Sequence, residues 1–368
     1  MNRSTRLFVA IGAATLVSLG LLSPVATAAP APKAAALAQR DLVEIPAKAA
    51  VRQAVAPSEC DPNTLLGVYI DKLIADMTVQ QLTFLSAHID TLLNVPTYDA
   101  LFFGTVGDPD YALTSHVHQL RNTFRDLQRF WDIKSDDIQL MAMHGDVLLD
   151  AGRIADTLTA MVKSDVIDPM TPAEIAREAR TVANFMQTQG DFFNNPLWTL
   201  NAFAFSGEVE SDPALTALPD KLVFGDGILM AYDDIGLGDV GPRVIMAHEF
   251  AHHVQFELGT FDTGPSDPAE ATRRTELMAD AMAAYYGVHK KGLALNKKRV
   301  TDALLSFYTV GDCQFADPGH HGTPLQRQRA AAWGADLASA ARPRSFVLPA
   351  ATVIKMFDAA LPGIISGR

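Results

Sequence analysis

The sequence predicts an α-rich α+β fold, and three observations carry that expectation. Apolar residues recur at three- and four-residue spacing through most of residues 62–189 and again through 242–341. Between them, residues 190–240 break into short apolar runs punctuated by Gly, Pro, Asn and Asp, the pattern of turns and short strands. A composition of 48% hydrophobic and 20% charged residues over 368 positions suits a globular chain that buries its own core, in one large domain or two modest ones.

The N-terminus reads as a secretory signal peptide over residues 1–28. Arg3 and Arg6 precede an apolar run from Leu7 to Leu22, and Ala26-Thr27-Ala28 offers a small-x-small cleavage site. An uncleaved anchor is the alternative. No later apolar stretch reaches the ~20 residues that span a bilayer, so stable membrane insertion after cleavage is not expected. Residues 29–57, rich in Ala and Pro, read as a linker. The formal charge is -12, and losing Arg3 and Arg6 leaves 28 basic against 42 acidic residues, or -14. No basic excess exists to neutralise a polyanion, which argues against a nucleic-acid partner. Cys60 and Cys313 are the two cysteines, and in an oxidising compartment a single pair favours one disulfide closing a long loop.

Residues 58–221 form a mainly helical region. The runs LLGVYIDKLIADM, QQLTFLSAHIDTLL, HVHQLRNTFRDLQRFW, DIQLMAMHGDVLLDAGRIADTLTAMV and TPAEIAREARTVANFMQTQ all carry helical spacing. The last opens with Thr171, Pro172 and Glu174, an N-cap, a first-turn proline and the acid of a capping box. His116, His118 and His144 fall in this region and are read as non-catalytic. WTLNAFAF and KLVFGDGILMAY are candidate short strands, the second of them an edge strand.

From residue 222 to 368 the chemistry concentrates. HEFAHHVQFELG, residues 248–259, places His248 and His252 four apart, where two imidazoles on a helix converge on one ion. Glu249 lies about 100° around from His248, able to reach a water on that ion without ligating it. This is the His-Glu-x-x-His arrangement: neutral imidazoles suit Zn²⁺, the ion acidifies a water, and the glutamate takes its proton. Glu249, His253 and Glu257 also repeat every four, but they span about 12 Å of rise, too far to share one ion. They read as a polar sector, with His253 supporting the site or on the surface. With ten histidines, a chance match arises on the order of once in a hundred such chains, so the motif needs support.

A catalytic zinc takes three protein ligands and keeps one open position. The extended motif with a third histidine is absent, because Gln255 and Leu258 occupy the Gly and His positions. Downstream, Asp267-Pro268 starts a strongly helical stretch in which Glu276 and Asp280 are four apart on one apolar face. Glu276 can complete a His₂Glu set, and Asp280 can accept the N–H of a ligating imidazole and fix its tautomer. Glu270, beside Arg273 and Arg274, is the weaker candidate for third ligand.

Three blocks, HEFAHHVQ at 248–255, ELMAD at 276–280 and HGTPLQRQRAAAWG at 321–334, resemble the neutral zinc metallopeptidase family related to the gluzincins. The likeness covers roughly residues 222–335. It implies a zincin-like catalytic region, one zinc ion on His248, His252 and Glu276, Glu249 as catalytic glutamate and Asp280 as supporting acid. Two departures stand out: Ala251 replaces a common glycine, and Ala281 a frequent cysteine. His321, inside the third block, is the candidate oxyanion donor, with His320, Tyr285 and Tyr286 as alternatives.

The sequence therefore predicts an exported zinc metallopeptidase acting on peptide or protein substrates. The competing expectation is an extracytoplasmic binding or structural protein whose zinc site is inactive.

Overall fold

A computed structural model describes Cys60 and residues 63–313 and 319–367. The signal peptide and the linker expected over residues 1–57 lie outside the described residues. In chain order the longer elements are α1 (Leu65–Ala75), α2 (Val79–Phe103), α3 (Val117–Phe130), β1 (Gln139–Met143), α4 (Ala151–Lys163), α5 (Pro172–Thr188), β2 (Ala202–Phe205) and β3 (Lys221–Gly225). There follow α6 (Asp226–Asp234), α7 (Gly241–Glu257), α8 (Pro268–Val288), α9 (Lys297–Thr309), α10 (Pro324–Ala340) and α11 (Ala350–Ser366). The chain is α-rich α+β, as its spacing predicts.

Two compact units divide these elements. The first holds Tyr69–Arg121 and Lys134–Gly238; the second holds residues 122–133 and those from 239 on, with Cys60 and 63–68. The cut at 238 differs from the expected boundary at 221, and residues 122–133 join the second unit although they precede it in sequence.

In the first unit a three-stranded sheet has the order β1-β3-β2, with β1 parallel and β2 antiparallel to β3. Helix α2 packs on β1, β3 and α4, and α4 packs on α5. The capping box at the start of α5 is formed: Thr171 Oγ1 accepts from Glu174 N, and Glu174 Oε2 accepts from Thr171 N at 2.8 Å. Lys221 is buried in β3 and donates from Nζ to Ala100 O, Leu101 O and Gly104 O at 3.2, 2.6 and 2.7 Å. An ammonium at the carbonyl end of α2 meets both the orphan acceptors and the negative pole of the helix, although burial pulls its pKa down to about 8.

Two expectations need correction here. Residues 139–143 form strand β1 rather than helix, because Gln139–Met143 pairs residue for residue with Lys221–Gly225; tertiary pairing overrides a short helical pattern. KLVFGDGILMAY splits into β3 and α6, and β3 is hydrogen-bonded on both sides. It is the central strand, with no free edge for an extended peptide.

The second unit is built around α8. Helices α7, α9, α10 and α11 all pack on it, and every residue of α8 from Thr272 to Gly287 is buried. Gly334 of α10 lies hard against α8: a Cβ there would fall 1.9 Å from Ala281 O. The absence of a side chain lets the two helix backbones meet. A disulfide joins Cys60 to Cys313, as the two-cysteine count predicts. Beside it, Thr64 Oγ1 donates to Thr309 O and Leu66 N donates to Thr309 Oγ1, both at 2.8 Å.

Candidate metal centre

Three helices of the second unit supply the candidate site. Pro242 stands in the first turn of α7, Asp267 caps α8 by accepting from Glu270 N, and Thr323 with Gln326 forms a capping box on α10. These starts fix the phase of each helix, so His248 and His252 face Glu276 and Asp280 while Arg327 reaches in from α10.

The ligand atoms of His248, His252 and Glu276 all lie within 4.8 Å of one another. The two Nε2 atoms are 3.1 Å apart, His248 Nε2 is 3.3 Å from Glu276 Oε2, and His252 Nε2 is 3.3 Å from Glu276 Oε1. Ligands at 2.0–2.1 Å from a tetrahedral ion sit about 3.3 Å apart, so the set has the spacing of one shared coordination sphere. Glu276 Oε2 is buried without a hydrogen-bond partner, an atom whose desolvation a cation would offset. The residues present therefore fit a divalent metal ion.

Each imidazole is held from behind. His248 Nδ1 is 2.9 Å from Asp280 Oδ1, and Asp280 accepts in turn from Arg327 Nε at 2.8 Å and Nη2 at 2.7 Å. His252 Nδ1 is 2.9 Å from Gln255 Oε1, and Gln255 Nε2 donates to Thr275 O at 2.8 Å. Both Nε2 atoms are thus left for the ion, the tautomer that a carboxylate or amide behind a ligand imposes. Arg327 Nη2 also comes within 3.6 Å of Glu276 Oε2.

Electrostatics follow this geometry. Burial lowers the His248 pKa, but the Asp280 and Glu276 carboxylates beside the ring outweigh it and lift the imidazole to about 10. Burial raises the Glu276 carboxyl, yet His321, His252 and His248 together hold it well below its ordinary value. Burial pushes the His321 pKa down, while the Glu276 carboxylate opposes that shift.

The structure brings together His248, His252, Glu276 and Asp280 as the sequence spacing predicts, with Glu249 buried beside them on α7. His321 is buried and its main-chain N donates to Asp312 Oδ2 at 2.8 Å. His320 Nδ1 is 2.6 Å from Asp312 Oδ1. Tyr285 and Tyr286 pack edge-on against Phe130, and Tyr285 Oη accepts from Leu348 N. His253 corrects the idea of a polar sector: it is fully buried against Phe256, because neighbouring helices enclose α7 nearly all round, and only Glu257 of that trio is exposed. Glu270 is no ligand; its carboxylate pairs with Arg273. In the first unit His144 pairs with Asp226, and His116, just before α3 rather than on it, pairs with Asp233.

Arg327 and Gln255 contact the candidate site, at Asp280 and His252, and sequence spacing passed them over. Gln255 lies three residues from His252, on the same face of α7, which is a readable signal. Arg327 had none beyond its place in the third block, and Asp312 none at all.

Fold and site together define a class: an α-rich protein with a buried two-histidine, one-glutamate group able to hold a metal ion. No family model, curated protein or solved structure matches the chain, so any narrower assignment rests on the site's own chemistry.

Proposed function

We propose that the chain is an exported zinc metallopeptidase with a zincin-like site, hydrolysing peptide bonds in peptide or protein substrates. The observation that carries this reading is the 3.1–3.3 Å spacing of His248 Nε2, His252 Nε2 and the Glu276 carboxylate, with Glu249 adjacent to His248 on the same helix. Two histidines and a glutamate make the donor set of catalytic zinc, and a glutamate following the first histidine is superfluous in a purely structural site. When bound, zinc supplies a Lewis acid for the scissile carbonyl and acidifies the attacking water.

The chain's residues supply the rest. Glu249 takes the proton of the attacking water on its carboxylate and passes it to the leaving amine. Asp280 faces His248 Nδ1 as its charge partner, and Gln255 Oε1 holds His252 at Nδ1. Arg327 balances the charge of Asp280 and Glu276. His321 offers a ring N–H to the oxyanion of the tetrahedral intermediate. Export is supported by the Cys60–Cys313 disulfide, a bond of oxidising compartments. No described helix is long and apolar enough to cross a membrane.

The test is Glu249→Gln on the purified mature protein, with metal content and cleavage of a diverse peptide library measured together. Zinc retained with cleavage abolished supports the proposal. A wild-type protein that holds zinc and cleaves nothing favours a binding or structural role instead.

A further inference from the structure

Arg273 has chemistry that the metal site leaves unused. It sits on α8 one turn before Glu276, about 4.5 Å along the axis, and only 9% of it is exposed. Its Nη2 pairs with Glu270, while its Nε is buried with no hydrogen-bond partner. Two other arginines of this unit show what the Nε/Nη2 edge does when filled. Arg274 holds Asp358 through Nε and Nη2 at 2.7 and 2.9 Å, and Arg327 holds Asp280 through the same two atoms at 2.8 and 2.7 Å. A guanidinium edge matches both oxygens of one carboxylate, and on Arg273 that edge is half filled.

The occupant of the other half is the exposed partner of the pair. The Glu270 side chain is 45% exposed and that of Arg273 11%, so the carboxylate approaches from the solvent side. Gly322, which follows His321, adopts φ +102°, and a Cβ there would fall 3.6 Å from Arg273 Cγ. The backbone that carries His321 therefore passes over the stem of Arg273. Arg273, Leu277 and Asp280 lie along one face of α8, with Glu276 beside it, and place the half-filled edge on the metal site's own helix face.

We infer that Arg273 binds a substrate carboxylate close to the scissile bond, with Glu270 as the internal carboxylate that it displaces. The substrate class is peptides bearing such a group, either the free C-terminus or an Asp or Glu side chain. The inference rests on the metallopeptidase reading above. An incoming carboxylate takes both Nε and Nη2, satisfies the orphaned donor and releases Glu270 to water.

The experiment takes one library peptide that the wild type cleaves and makes it as free acid, as C-terminal amide, and as amide with a single Asp or Asn beside the scissile bond. In Arg273→Gln the acid-to-amide or Asp-to-Asn ratio of kcat/KM falls by about 10- to 100-fold, the worth of a charge-assisted bidentate pair. A general loss of fold lowers both members of a pair alike and leaves the ratio in place. In Glu270→Gln, which empties the edge, the ratio rises several-fold, and this variant keeps the inference testable if Arg273→Gln folds poorly. Calorimetric binding of the same peptides to Glu249→Gln protein, with and without the Arg273 change, reads the preference without turnover. The arm that responds, acid or Asp, identifies the source of the carboxylate. Ratios indifferent to both variants overturn the inference while the metallopeptidase reading stands, because the peptide is still cut. A wild type that cleaves no peptide removes both.

Discussion

Arg327 grips Asp280 through two parallel bonds, Nε to Oδ2 at 2.8 Å and Nη2 to Oδ1 at 2.7 Å, where neither side chain is more than 5% exposed. A buried ion pair contributes little net stability while intact, but removing one partner strands the other charge, at a cost of about 3–5 kcal/mol. Arg327→Met therefore destabilises the metal-free protein by that order, read as a fall in the urea midpoint. Asp280→Asn keeps the shape but weakens the hold on His248 Nδ1. Zinc affinity then drops about 10- to 100-fold, measured by competition with a chromophoric chelator.

Metal loading is expected to release a proton. His248 in the metal-free fold is lifted to about 10 by Asp280 and Glu276 against the effect of burial, and zinc requires the neutral ring. Apparent affinity thus rises with pH toward that value. The folded pKa lies above the ordinary 6.5, so the pairing stabilises the metal-free protein fully below about 6.5 and is lost as pH rises through about 10. Thermal stability of the metal-free form declines across that window, and the loaded form does not follow it. Zinc calorimetry at pH 7 in two buffers of different ionisation enthalpy checks this, and identical heats in both would contradict it.

Gln255 ties the two ligand-bearing helices together, since one amide receives His252 Nδ1–H and donates to Thr275 O, next to Glu276. Gln255→Leu leaves both groups unpaired in a buried place, at about 1–3 kcal/mol each, and loosens the His252 ring. The expected result is a lower melting temperature and roughly tenfold weaker zinc binding. Gln255→Glu still accepts from His252 and loses the Thr275 bond, so it retains more affinity than the leucine variant.

The site was legible where local geometry governs it. His248, His252 and the Glu276–Asp280 pair follow from four-residue spacing on helices, and the capping box at Thr171–Glu174 from a three-residue spacing. What stayed hidden depends on contacts distant in sequence. Arg327 reaches Asp280 because Gly334 lets α10 approach α8 closely, and β1 is a strand because residues 82 positions later pair with it. His253 looked like a polar-face residue because spacing along α7 does not reveal that other helices enclose it.

The disulfide is expected to act on turnover as well as on stability. Cys313 bonds Cys60 across 253 positions and adjoins Asp312, whose carboxylate holds His320 Nδ1 at 2.6 Å and His321 N at 2.8 Å. Closing so long a loop removes denatured-state entropy worth about 5 kcal/mol, an upper figure because residual structure and native relaxation reduce it. Reduction, or Cys60→Ser with Cys313→Ser, therefore lowers the melting temperature. The metal ligands sit on α7 and α8, away from the bond in sequence and fixed by their own helix packing, so zinc content is retained. His321, by contrast, depends on the segment that the bond anchors, and in the proposed role of oxyanion donor a slight misplacement of its ring costs about 10-fold or more in kcat. Asp312→Ala separates the two effects: it lowers kcat with zinc bound and the disulfide intact. If reduction leaves kcat unchanged below the melting range, the bond serves stability alone and His321 is held by its other contacts.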